Sequence, residues 1–278
     1  MAAVTTPLTK DMVPHPQMWR MAMLVAPEGI DVTVMSVVED NTLIYKHIPL
    51  PDDPASRLRA IEDAVYENPL LLSDFGKTDI LISTRRYMVM PAEIAETEVL
   101  DRVLAQFWPD ISTCAVFTDT GLVLPGNLDA IVFIIASDEA SFLQRTFPTA
   151  RISHAITPMV RYFARSSRLG CSGKMYVCLR RDEIDMIAYT TGGLLMAVTK
   201  SVSTPDDALY YIMAALQMSK LNPAEVEIML CGDNDMRRQL TPLLRRFAGY
   251  VMPVVFPSEM FRAGKDAMIA PFALMLVK

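Results

Sequence analysis

A chain of 278 residues with 51% apolar side chains can bury a core without disulfide or metal staples, which excludes a disordered chain and a disulfide-held miniprotein. Its net charge of −6 hides an uneven split, −10 over residues 1–155 and +4 over residues 156–278, and a positive half this modest argues against nucleic acid as a partner. The longest apolar run, Ala130 to Ala136, is far short of the roughly 20 residues that cross a bilayer, so no membrane span is expected.

Residues 1–17, with prolines at 7, 14 and 16, read as a flexible tail without the pattern of a signal peptide. A first unit is expected over residues 18–157. It opens with three short apolar runs, Met21–Ala26, Asp31–Val38 and Thr42–Pro49. A helix follows, opened by Pro51-Asp52-Asp53-Pro54, with Leu58, Ile61 and Val65 on its inner face, and then a strand from Asp79 to Ser83. A helix from about Ala92 to Phe107 and a strand from Thr113 to Thr118 interrupt the pattern, and residues 84–127 read as an inserted subdomain. The pattern resumes with strand Asp129–Ala136, helix Glu139–Phe147 and strand Arg151–Ala155.

A linking helix from Pro158 leads into a second unit, residues 158–278, which repeats the opening of the first. Met175, Val177 and Leu179 alternate as a strand requires, Ile184–Tyr189 follows, and Thr191-Gly192-Gly193 turns into Leu194–Val198. Thr204-Pro205-Asp206-Asp207 then carries a cap, a preorganised first turn and acids at the positive helix end. Leu209, Ile212, Met213 and Leu216 form one helical face. Strand Val226–Leu230, a helix that Pro242 should kink, and strand Tyr250–Val255 complete the unit. The apolar stretch Ala267–Val277 is too short to span a membrane and reads as a docked element.

Three antiparallel strands, a crossover helix, a parallel strand, a helix and a further strand make the ribonuclease-H-like order. Two tandem copies, the first with an insertion, resemble the actin-like ATPase superfamily in a PilM-like arrangement. The fold class implied is α/β, two tandem ribonuclease-H-like domains whose mixed sheets carry helices on both faces. At motif level the chain also resembles the bacterial domain-of-unknown-function family 3822, through Asp207-Ala208-Leu209-Tyr210-Tyr211, the break Leu221-Asn222-Pro223, and the strand end Leu230-Cys231-Gly232.

The resemblance implies two Asp-x-Gly hairpin turns that cradle nucleotide phosphates, one in each unit. Here the first reads Ala26-Pro27-Glu28-Gly29, where proline removes a donor, and the second reads Leu179-Arg180-Arg181-Asp182-Glu183, with no glycine. The adenosine-side glycine motif is reduced to Gly232-Asp233-Asn234, read either as the remnant of a ligand cleft or as a plain strand-to-helix turn with Asn234 as N-cap. A nuclease would need clustered carboxylates at strand ends, and none assemble. His15, His47 and His154 and the four cysteines read as structural, so neither catalytic residues nor metal ligands are assigned and a reducing cytoplasm is expected. Arg161, Arg165 and Arg168 fall at i, i+4 and i+7 on the linking helix, either as a solvated face or as a stripe for an anionic partner. The expected function is a non-catalytic, cytoplasmic protein-interaction or scaffold module without a cofactor. The alternative is an ATP-binding or phosphotransfer member, with Mg-ATP, whose phosphate site is remodelled.

Overall fold

The computed structural model describes residues 7–51, 57–122, 129–167, 173–256 and 258–277. The first meander is β1 (Trp19–Ala26), β2 (Gly29–Ser36) and β3 (Ile44–Pro49), followed by α1 (Arg57–Tyr66) and β4 (Lys77–Ile82). Next come β5 (Tyr87–Pro91), the single turn α2 (Ala92–Ala95), α3 (Leu100–Phe107), β6 (Cys114–Asp119) and β7 (Asp129–Ala136). Then α4 (Ser137–Thr146), β8 (Arg151–His154) and α5 (Ile156–Ser167) lead to the second meander, β9 (Lys174–Leu179), β10 (Glu183–Thr190) and β11 (Gly193–Ser201). The chain continues through α6 (Pro205–Met218), β12 (Glu227–Gly232), α7 (Asn234–Leu244), β13 (Tyr250–Pro253), α8 (Ser258–Ala263) and α9 (Phe272–Met275).

Two five-stranded sheets share one order. The first is β3-β2-β1-β4-β8 and the second is β11-β10-β9-β12-β13. In each, the first strand pairs antiparallel with the second and parallel with the fourth, and the fourth pairs parallel with the fifth. The central strands β1 and β9 are buried along almost their whole length, as a strand covered on both faces requires. The tandem mixed-sheet architecture is therefore present.

The structure departs from the sequence expectations in four places. Asp129–Ala136, expected to resume the first large sheet, is the centre of a separate three-stranded sheet, β5-β7-β6. An apolar run says that a strand is buried but not in which sheet. That small sheet thus extends past residue 127, and β8 alone supplies the fifth strand of the first unit. The helix expected over 92–107 breaks into α2 and α3. Part of the expected tail is core: Leu8 and Val13 are buried, and the Leu8 N–H donates to Asn68 Oδ1 at 2.9 Å. The linking helix starts at Ile156 rather than Pro158, with proline tolerated in its first turn. The Pro51-Asp52-Asp53-Pro54 helix start and Cys171 lie outside or at the margin of the described residues. Its counterpart is seen in full: Thr204 Oγ1 accepts from Asp207 N–H while the Asp207 carboxylate accepts from Thr204 N–H, a reciprocal capping box.

Helix α5 welds the units together. Phe163 stacks on Tyr176 with ring centroids 3.9 Å apart, and the Tyr189 hydroxyl donates to the Val160 carbonyl at 2.6 Å. After β13 the chain returns to the first unit. Asn41 N–H donates to the Arg262 carbonyl at 2.7 Å, and Phe272, Ala273 and Leu274 of α9 are buried in the same apolar cluster as β1 and α5. Ala267–Val277 is thus a docked element, and among the described residues no helix is long and apolar enough to cross a membrane.

Candidate functional site

Between the two large sheets lies a cavity of about 470 Å³. The first unit lines it with Leu24, Glu28, Asp31, Tyr45 and His47, and the second with Cys178, Arg180, Arg181, Asp185 and the Gly232-Asp233-Asn234 turn. The C-terminal residues Ala267–Ala273 close one side. The cavity is where the ends of β1, β9 and β12 meet, the place at which open α/β sheets bind ligands.

Its walls carry the duplication down to single side chains. Asp31 lies on β2 opposite Leu24 of β1, and Asp185 lies on β10 opposite Cys178 of β9. Both aspartates are buried. Each is held from the third strand of its meander. Asp31 Oδ1 accepts from the Tyr45 hydroxyl at 2.7 Å and pairs with His47 Nδ1 at 2.8 Å, while Asp185 Oδ1 accepts from Thr199 Oγ1 at 2.6 Å. Burial first, and then Asp31, hold the Tyr45 phenol above its ordinary range. Gly29 is required beside this group, because a Cβ there would stand 2.5 Å from His47 Cε1 and 2.7 Å from the Ile48 carbonyl oxygen. The signal available in the sequence was a lone aspartate inside an apolar strand, Ile30-Asp31-Val32 and Ile184-Asp185-Met186.

The second hairpin turn is filled by Arg180. Its guanidinium contacts Asp185 at 3.0 and 3.1 Å and Glu183 at 2.6 Å, and donates to Ser83 Oγ at 2.7 Å. Ser83 follows β4, so this side chain ties the first unit to the second. Burial alone would lower the Arg180 pKa; the carboxylates of Asp185 and Glu183 outweigh it and hold the group above its ordinary value. Nearby, Arg85 donates to Ser201 Oγ at 2.5 Å, and Tyr87 Oη lies 3.0 Å from Thr199 Oγ1. The turn that carries Arg180 is therefore part of an interdomain latch.

Gly232, Asp233 and Asn234 do come together at the cavity, in roles set by local packing. Gly232 has φ +89°, and a Cβ on it would lie 2.0 Å from the Leu179 carbonyl oxygen. Asp233, not Asn234, is the N-cap of α7: its Oδ1 accepts from Met236 N–H at 2.7 Å, and its own N–H bonds the Leu179 carbonyl at 2.8 Å. A carboxylate thus occupies the helix end that would otherwise favour an anion.

Of the arginine stripe on α5, Arg161 donates to the carbonyls of Thr120 at 2.8 Å and Gly121 at 3.3 Å, and burial lowers its pKa although Asp119 opposes this. Arg165 is exposed, and Arg168 lies outside the described residues. His154 is buried against the rings of Tyr87 and Phe133. Ile156 N–H donates to His154 Nδ1 at 3.1 Å, so Nε2 carries the proton and donates to the Thr84 carbonyl at 2.8 Å. Burial pushes this imidazole down to about 4, with the Thr84 carbonyl opposing. The unfolded chain therefore takes up a proton near pH 6.5 that the folded one refuses until about pH 4. The His154 contribution is complete above pH 6.5 and should fall by about 3 kcal/mol as the pH drops to 4. Urea titrations of the protein and its His154→Asn variant at pH 7 and pH 4.5 check this; equal pH sensitivity of the two would refute it.

Two open mixed sheets of identical order, apposed across a cleft and joined by the linking helix α5, define the actin-like ATPase fold. The chain belongs to the DUF3822 family, described as a protein of unknown function, whose model matches residues 16–251. It is similar to a Bacteroides thetaiotaomicron protein with actin-like ATPase fold and unknown function, at 21% identity and a TM-score of 0.76, covering 95% of this chain and 97% of that one. It is also similar to a chain of the PilM–PilN type IV pilus biogenesis complex, at 13% identity and a TM-score of 0.54, covering 95% and 100%. A search of curated proteins gives no match.

Proposed function

We propose that the protein is a non-catalytic interaction module that keeps the actin-like shape while its nucleotide site has degenerated. The observation that carries this reading is Arg180. In the position where actin-like ATPases are expected to turn on glycine and offer backbone N–H groups to phosphate, this chain puts a guanidinium already committed to Asp185, Glu183 and Ser83. Pro27 in the first turn and the Asp233 carboxylate at the start of α7 add to it. The cavity lining holds the acids Glu28, Asp31, Asp185 and Asp233 against Arg180 and Arg181, an environment that repels a polyphosphate.

Calorimetric titration with Mg-ATP tests the reading, with no saturable binding expected. Micromolar affinity, about −8 kcal/mol, would replace it with the ATP-binding or phosphotransfer alternative. Its structural similarity to a chain of the PilM–PilN type IV pilus biogenesis complex supports a protein partner for this chain. The α5 stripe remains part of the proposal, with Arg165 the residue free to meet an anionic partner in the present arrangement and Arg161 engaged by the inserted subdomain.

A further inference from the structure

A groove of about 620 Å³ runs between α7 and the edge strand β13, on the far side of the second sheet from the inserted subdomain. Its walls carry Arg237, Arg238 and Arg245, and its apolar lining comes from Leu230, Pro242, Val251 and Met252. Arg238 and its neighbour Asp235 form only a loose, fully solvated pair at 3.6 Å, with side chains 81% and 83% exposed. Around the groove, Phe247, Tyr250 and Val255 are exposed. The strand edge itself is closed to a further strand. Pro253 has no N–H, the Val251 carbonyl accepts from Arg245, and the Val255 carbonyl accepts from Tyr162. Whatever fills the groove must therefore engage it through side chains, with apolar anchors below and carboxylates toward the arginines.

The chain contains a segment of that chemistry. Residues 93–101, across α2 and the start of α3, expose the carboxylates of Glu93, Glu96, Glu98 and Asp101 and the apolar side chains of Ile94 and Val99, with no basic residue among them. The fold keeps this segment away from its own groove. The small sheet that carries it contacts the second sheet at β11, the edge opposite β13, and four strand spacings, about 19 Å, separate those two edges. The complement can be made only between molecules.

We propose that the α7–β13 groove docks the 93–101 segment of a second copy of this chain. The contact joins two different surfaces, so a contacting pair keeps one groove and one segment free, one on each molecule, and assembly continues head to tail. It is also independent of the nucleotide reading, because neither surface touches the interdomain cavity.

Sedimentation of the full-length protein tests it. At about 100 µM and low salt, a range suited to weak interfaces, the wild type should sediment as a mixture extending beyond the dimer, and about 0.5 M salt should return it to monomer. A groove variant, Arg237→Ser with Arg238→Ser and Arg245→Ser, and a segment variant, Glu93→Ser with Glu96→Ser and Asp101→Ser, should each stay monomeric with unchanged melting curves. Mixed in equal amounts they should form a dimer and nothing larger, since one intact groove and one intact segment are left. Because Arg245 also bonds the Val251 carbonyl, an Arg237→Ser, Arg238→Ser pair serves should the triple variant melt early. A wild type that stays monomeric, a closed dimer that grows no further, or a variant mixture that stays monomeric would each overturn the proposal.

Discussion

Replacing Gly232 with alanine is expected to cost about 3 kcal/mol or more, because it combines a strained backbone with a steric clash. The residue sits at φ +89°, which an L side chain rarely adopts, and the new Cβ would fall 2.0 Å from the Leu179 carbonyl oxygen. That neighbour is main chain in the centre of the second sheet, paired with Gly232 itself, so it cannot swing aside as a flexible side chain would. Gly192 supplies the control. Its nearest neighbour to an added Cβ is Thr190 Oγ1 at 3.5 Å, and Gly192→Ala should be close to neutral. Denaturant midpoints of the two variants decide the matter, and equal losses would show that the turn at β12 is looser than described.

The second large effect concerns the latch. Arg180→Ala removes one cation from between two carboxylates, leaving Asp185 and Glu183 together in a partly buried site. Removing one member of a buried charge pair typically costs about 3–5 kcal/mol, far beyond the value of a solvated pair. The loss should appear as weakened association of the two units as well as a lower midpoint, because the same guanidinium holds Ser83 of the first unit. Arg238→Ala, whose pair with Asp235 is exposed, should change stability by less than about 1 kcal/mol. If the two variants behaved alike, Arg180 would be an ordinary surface arginine and the case for a filled turn would fail.

Much of the fold was legible because local chemistry and global order agree. The hairpin turns, the Thr204 cap and the apolar period of α6 all point to a meander feeding a crossover helix, and both large sheets are built that way. The placement of β7 was not legible. Its run of apolar residues suits any buried strand, and only the pairing with β5 and β6 assigns it. The burial of Leu8 and Val13 was hidden for a related reason, since proline-rich context masks two isolated anchors.

The site divides in the same manner. Gly232 announced itself because glycine at a strand end has few other uses, yet the capping role passed from Asn234 to Asp233 by one residue, within the uncertainty of any helix boundary. The role of Arg180 depends on Ser83, 97 positions away in the chain, and the link between His47 and Asp31 depends on strand register. Neither is encoded in spacing. The pair Asp31 and Asp185 lay in plain sight as single acids in apolar strands, and only the shared topology makes them equivalent.

The proposal that the cleft has lost nucleotide binding is tested most directly by hydrogen–deuterium exchange, with and without millimolar Mg-ATP, over the two segments that would have to hold the nucleotide, Leu179–Glu183 and Gly232–Asn234. With the Arg180 turn already filled and Asp233 capping α7, their exchange should be the same in both conditions. Slowed exchange confined to these two segments would place ATP in the cleft and contradict the loss of nucleotide chemistry.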